Sequence, residues 1–152
     1  KKSTPITKTD IMLKKSRRRI NEIIVHCTAT PEGRDYTVAD IRQMHKAQGW
    51  VDIGYHYLVY RDGSIHEGRN VDLVGAHCQG HNAQSIGVCY VGGVARDGKT
   101  PKDTRTPAQK DALIHLLMQL VCLYPDATIR GHRDFAAKAC PSFDATREYK
   151  NL

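Results

Sequence analysis

No apolar run in this 152-residue chain approaches the ~20 residues that span a bilayer, and no secretory core is visible. Synthesis in the cytoplasm is therefore expected. The chain opens on Lys rather than Met, so a trimmed leading segment and export both stay open. The five cysteines (Cys27, Cys78, Cys89, Cys122 and Cys140) are odd in number and show no close spacing, which excludes a simple disulfide framework. Cys89 and Cys122 lie in strand-like and helical apolar patterns and read as small buried hydrophobes. That usage points to a reducing compartment. There is no internal repeat and no low-complexity stretch. No pair of carboxylates stands out in any motif, which argues against a glycosidase. Acidic residues are almost missing from the head: residues 1–19 hold eight Lys or Arg against Asp10 alone. Since the formal charge is +7, from 23 basic and 16 acidic residues, the remainder balances at 15 of each sign. The body is neutral and the head carries the charge.

What remains is a single domain of ordinary globular size. A basic segment over 1–19, partly disordered, precedes a folded domain over 20–152. The head could bind an anionic polymer such as nucleic acid, lipid headgroups or acidic wall glycans, or simply be solvated. Ile20 to Thr28 is β-branched and apolar and reads as a buried strand. Thr37 opens a helix as N-cap with Asp40 three residues on. Val38, Ile41, Met44, His45 and Gln48 mark its inner face, and Gly49 closes it. Gly54 to Tyr60 reads as a strand, joined by an Asp62-Gly63 turn to a returning strand over Ile65 to Arg69. Ser85 to Gly93 is apolar enough for the centre of a sheet. Thr106-Pro107-Ala108-Gln109 starts a second helix. Its stripe is Ala112, Leu113, Leu116, Leu117, Leu120, Val121 and Tyr124, and Pro125 ends it. Ala127 to Arg130 is a short strand, and a last short helix starts at Asp144. The fold class is α/β: one domain with a central mixed sheet flanked by helices.

The chemistry concentrates at Arg130-Gly131-His132-Arg133-Asp134-Phe135-Ala136-Ala137-Lys138-Ala139-Cys140-Pro141. An imidazole and a thiol stand eight positions apart, with an ammonium two residues before the thiol. Imidazole and thiolate are good zinc ligands, and a catalytic zinc takes three protein ligands and leaves a fourth position to water. The best third donor is His26, at the end of Ile23-Ile24-Val25-His26. One Zn2+ held by His26, His132 and Cys140 is therefore the central expectation.

The accompanying motifs are His26-Cys27-Thr28-Ala29-Thr30, Gly54-Tyr55-His56-Tyr57, Gly75-Ala76-His77, Asn82, Ser85-Ile86-Gly87-Val88 and Lys138-Ala139-Cys140-Pro141-Ser142-Phe143-Asp144. Together, from about Ile23 to Asp144, they resemble the zinc-dependent N-acetylmuramoyl-L-alanine amidases. That family includes phage amidase-type lysozymes and peptidoglycan recognition proteins. Arg42-Gln43, Gln48-Gly49-Trp50 and Arg61-Asp62-Gly63 look like the phage lysozyme branch. The resemblance implies the same three zinc ligands and an endolysin-type hydrolase that cleaves the amide between N-acetylmuramic acid and L-alanine in peptidoglycan. It also implies that Tyr55 and Lys138 are catalytic and that His77 and Asn82 line the muropeptide groove. Without it, a strand tyrosine is more commonly a core aromatic, and a loop lysine is solvated. By strand alternation His56 should face away from Tyr55, and Cys27 away from the site. His45, His66, His81 and His115 read as surface or packing residues.

Three other readings compete. A binding-only module is disfavoured because non-catalytic relatives lack the thiol ligand that Cys140 supplies. A nucleic-acid-binding or phage RNA polymerase-regulating protein is motivated by the basic head and weakened by the neutral body. A structural zinc site would need Cys27 or Cys78 as a fourth ligand. A monomer acting on the bacterial cell wall is expected.

Overall fold

The computed structural model describes residues 5–6 and 13–152. Its elements are β1 (Pro5–Ile6), β2 (Glu22–Cys27), β3 (Thr30–Pro31), α1 (Val38–Ala47), β4 (Tyr57–Val59), β5 (Ile65–Glu67), β6 (Ser85–Tyr90), β7 (Gly93–Val94), α2 (Pro107–Leu123), β8 (Thr128–Gly131) and α3 (Ala145–Glu148). The main sheet has the order β1-β5-β4-β6-β2-β8, and β3 pairs with β7 beside it. Strands β4, β6, β2 and β8 run parallel, while β5 and β1 add an antiparallel edge. The mixed α/β sheet expected from the pattern is thus the observed fold.

Period-two alternation decides what lies on each face. Ile23, Val25 and Cys27 of β2, with Ile86, Val88 and Tyr90 of β6, pack toward Leu113, Leu116, Leu117 and Leu120 of α2. On the other face, Leu58 and Cys89 meet Val38 and Ile41 of α1. Both helices begin on the expected caps. Thr37 and Asp40 exchange bonds of 2.9 and 3.1 Å, and Thr106 and Gln109 do the same. Each such cap is worth ~1 kcal/mol. Gln109 has a second role, donating its amide to the carbonyls of Val59 and Val91. The inner face of α1 is narrower than its pattern suggested: Val38, Ile41 and His45 are buried, but Met44 is 41% exposed.

Residues 13–19 are not a loose leader. Leu13 and Ser16 are buried. Ser16 Oγ donates to the Val71 carbonyl at 2.7 Å and accepts from the Arg18 backbone N–H at 3.0 Å, and the Ser16 backbone N–H donates to Tyr124 Oη at 2.7 Å. Arg18 lays its guanidinium across the carbonyls of Val71, Ala83 and Ser85 at 3.0–3.1 Å. Lys14 and Arg17 both reach Asp72. Residues 13–19 thus satisfy backbone carbonyls of the body. Residues 1–4 and 7–12 of the head, expected to be partly disordered, lie outside the described residues.

This tether yields a first prediction. Arg18→Ala removes the guanidinium's bonds to the Ser85 carbonyl and leaves the Val71 carbonyl to Ser16 alone; losing hydrogen bonds from a charged donor costs ~1.5–3 kcal/mol. Chemical denaturation should show Arg18→Ala destabilised by about 2 kcal/mol, whereas the exposed ion pair of Lys14 is worth at most ~1 kcal/mol. Equal, small effects of the two substitutions would contradict the tether.

Candidate functional site

The site forms at the carboxyl ends of parallel strands, the usual crevice of an open α/β sheet. Register creates it. Val25 of β2 stands opposite Gly131 of β8, so the next residues, His26 and His132, emerge side by side. Their ring centroids are 4.7 Å apart. His26 occupies the face opposite Val25 and Cys27, and it is buried.

Cys140 arrives from the following loop, which is pinned at several points. Arg133 N–H donates to the Cys140 carbonyl at 2.8 Å, Tyr90 Oη to the Pro141 carbonyl at 2.7 Å, and Ser142 Oγ to the Gly93 carbonyl at 2.7 Å. Cys140 Sγ lies 3.8 Å from His26 Nδ1 and accepts from the Cys27 backbone N–H at 3.2 Å. One ligand atom from each of His26, His132 and Cys140 fits within 4.8 Å of the others. Among the described residues, neither Cys27 nor Cys78 joins them. Cys27 lies on the face of β2 opposite His26, with Ile23 and Val25, although both its backbone N–H and its thiol hydrogen-bond Cys140. Two imidazoles and a thiol that converge with no fourth protein donor among the described residues fit an open zinc site.

Tyr55 packs its ring 5.2 Å from His26 and 5.3 Å from His45. Burial, reinforced by Cys89 and Cys140, raises its phenol well above the ordinary value, so it stays protonated. Lys138 is exposed and lines the groove with Tyr55 and His132. The groove has a volume of about 540 Å³, and Trp50, Gln79, Asn82 and Phe135 complete its walls. Trp50 and Phe135 were not expected in the groove; for Trp50 the available signal was an aromatic directly after the helix-closing Gly49. His81 stacks on Phe135 at 3.9 Å and pairs with Glu22.

His77 also borders the groove, but both its ring nitrogens are engaged from within: Nδ1 lies 2.8 Å from His26 Nε2, and Nε2 lies 3.1 Å from Ser85 Oγ. Asn82 Oδ1 is likewise occupied, accepting the backbone N–H groups of His77 and Cys78. His56 does not line the groove; it borders a separate pocket with Lys14, Glu67 and Arg69. Its ring lies 5.8 Å from that of His77. Its Nδ1 accepts from Gly87 N–H at 3.0 Å, and Nε2 meets the Leu73 carbonyl at 2.9 Å. His45 is a packing residue that accepts from Gly54 N–H at 2.9 Å and so places Tyr55.

The family of the chain is decided by comparison with known proteins. The model of the N-acetylmuramoyl-L-alanine amidase family matches residues 16–143. The chain belongs to the N-acetylmuramoyl-L-alanine amidase family. Among curated relatives of this amidase, the endolysin of Klebsiella phage KP32 is 48% identical over 131 residues, covering 86% of each chain. Among solved structures, the endolysin LysCS from Clostridium intestinale URNW aligns with a TM-score of 0.73 at 30% identity, over 95% of this chain and 86% of that one. The ectodomain complex of peptidoglycan recognition proteins LCa and LCx, solved with tracheal cytotoxin bound, aligns at 0.70 and 29% identity, over 98% and 89%. The amidase is of the phage endolysin type. Among its described residues, no helix is long and apolar enough to cross a membrane.

The buried imidazoles of the amidase carry a pH prediction. Burial lowers His56 to about 4, and lowers His26 and His77 as well. A histidine whose folded pKa is depressed contributes its full stability above the unfolded value of ~6.5 and loses it as pH falls toward the folded one. His56 alone accounts for about 3 kcal/mol across that window. Thermal unfolding of metal-free protein should therefore fall steadily from pH 7 to pH 4. A midpoint unchanged across that range would contradict it.

Proposed function

We propose that this amidase is a zinc-dependent hydrolase that cleaves the amide between the lactyl group of N-acetylmuramic acid and the L-alanine of the stem peptide. The observation that carries this is the convergence of His26, His132 and Cys140 at the head of a groove lined by Tyr55 and Lys138. Zinc, when bound, supplies a Lewis acid and lowers the pKa of its water to about 7.

The protein's own groups do the rest. His26 Nδ1, the His132 imidazole and the Cys140 thiolate would hold the metal. The neighbouring Cys27 and burial push the Cys140 thiol up, so binding a metal there would displace its proton. Lys138 places an ammonium beside the scissile carbonyl and stabilises the negative charge that grows on its oxygen. Tyr55 is neutral and acts as a hydrogen-bond donor to the reacting water or carbonyl rather than as a base. The muropeptide would lie in this groove, where the Trp50 and Phe135 rings offer apolar surface. His77 and Asn82 shape that wall from behind, since their bonded atoms are committed to the protein.

The peptidoglycan substrate agrees with the similarity to peptidoglycan recognition proteins LCa and LCx, solved with tracheal cytotoxin bound, and the cell wall with the endolysin relatives. The decisive experiment is mass spectrometry of purified peptidoglycan digested with and without a zinc chelator. Free stem peptides and peptide-free glycan, lost on chelation and restored by zinc, are expected. Intact wall carrying bound protein would replace the enzyme with a recognition module. Cuts within the glycan or the peptide would refute the assigned bond.

A further inference from the structure

Gly87 sits in the middle of β6, where a residue without a side chain weakens a strand and often marks close approach of another group. A Cβ at Gly87 would meet the His77 ring at 2.7 Å, and a Cβ at Gly75 would meet the same ring at 2.7 Å. The two glycines thus form a slot for one imidazole. Inside it, His77 Nδ1 is 2.8 Å from His26 Nε2, and His77 Nε2 is 3.1 Å from Ser85 Oγ. The His77 backbone is held in turn by Asn82 Oδ1 at 3.0 Å. Ser85 and His77 are both buried.

The polarity of this chain of bonds follows from the other nitrogen of His26. Nδ1 is the atom turned toward Cys140 Sγ. A neutral imidazole has one N–H and one lone pair. For the lone pair to face Cys140 and His132, the proton of His26 must sit on Nε2, where it points at His77 Nδ1. His77 then carries its own proton on Nε2 and donates it to Ser85 Oγ. The reverse polarity would put an N–H where a ligand atom is needed.

We propose that His77 is a positioning residue of the metal centre: it accepts the Nε2 proton of His26 and, anchored by Ser85, holds His26 in the tautomer whose Nδ1 can bind a metal. Second partners of this kind fix ring orientation and raise ligand basicity, and their loss typically costs 10–100-fold in metal affinity. The inference rests on the zinc reading above, so one of its tests is independent of zinc.

That test is nitrogen NMR of the histidine rings in the metal-free full chain. His26 is expected as a single tautomer protonated at Nε2. In His77→Leu that preference should disappear, and zinc affinity, measured by competition with a chromogenic chelator, should weaken by about 10–100-fold. His77→Asn keeps an acceptor oxygen close to the position of Nδ1 and should recover most of both signals. Ser85→Ala frees only the far end of the chain and should lose less, in the same direction. Circular dichroism establishes that each variant is folded. Should His77→Leu not fold, the difference between His77→Asn and Ser85→Ala decides: the larger loss in His77→Asn would count against an acceptor role. A wild-type His26 protonated at Nδ1, or a folded His77→Leu with unchanged tautomer and zinc affinity, would overturn the proposal. A wild-type chain that binds no zinc would instead refute the metal reading, and the tautomer of His26 in His77→Leu would still decide the role of His77.

Discussion

Cys140→Ser is expected to lose zinc and hydrolysis together. The substitution keeps the size and placement of the side chain but replaces a thiolate donor with a neutral hydroxyl, which is a poor zinc ligand. Among the described residues the metal group contains only His26, His132 and Cys140; the Cys27 thiol touches Cys140 but lies on the opposite face of β2 from His26 and is not in that group. The loop cannot rearrange cheaply either, since Tyr90, Ser142 and Arg133 bind it on both sides of the cysteine. Losing a direct ligand should exceed the ~10²-fold upper range for losing an outer-shell partner. Equilibrium dialysis with elemental analysis would measure the metal, and release of stem peptides the activity. One tightly bound zinc per chain in Cys140→Ser would show that the thiol is not a needed ligand. His132→Ala should behave alike, because an open site has no spare donor.

Much of the fold is legible in short stretches because the physics there is local. Thr37 with Asp40, and Thr106 with Pro107 and Gln109, announce helix starts through bonds within four residues. The leucine stripe of α2 and the alternation in β2 and β6 record which face is buried. What cannot be read this way depends on pairing between distant segments. Nothing in Ile23-Ile24-Val25-His26 says that Val25 will register with Gly131, 106 residues later, and it is this register that aligns His26 with His132. Zinc-ligand chemistry named the three residues; the sheet brings them together. The basic head shows the same limit: its charge is legible, but Arg18 serves backbone carbonyls that only the folded body presents. For His77, the signals were Gly75 and Gly87. A glycine in an otherwise apolar strand is legible as a close approach, but the ring that approaches is not.

The second large effect is expected at Lys138. Its side chain is exposed at the groove, and its replacement by alanine should change stability by no more than ~0.5 kcal/mol, as for surface positions generally. The metal ligands keep their supports, so zinc affinity in Lys138→Ala should remain near that of the wild type. What disappears is a cation beside the carbonyl oxygen as it gains charge, an interaction stronger in the transition state than in the bound substrate. Such a loss falls on kcat rather than KM and commonly amounts to ~10²-fold or more. Tyr55→Phe offers the matching comparison. The ring still packs against His26 and His45, so a loss of kcat there reports the hydroxyl alone. Because burial holds that phenol protonated, its contribution should not vary with pH in the neutral range. Steady-state kinetics on a soluble muropeptide, with metal content measured on the same samples, separates the outcomes. Lys138→Ala with full activity would remove the ammonium from the reaction. Lys138→Ala that has lost its zinc would recast Lys138 as a support of the metal centre, contrary to its position on the open wall of the groove.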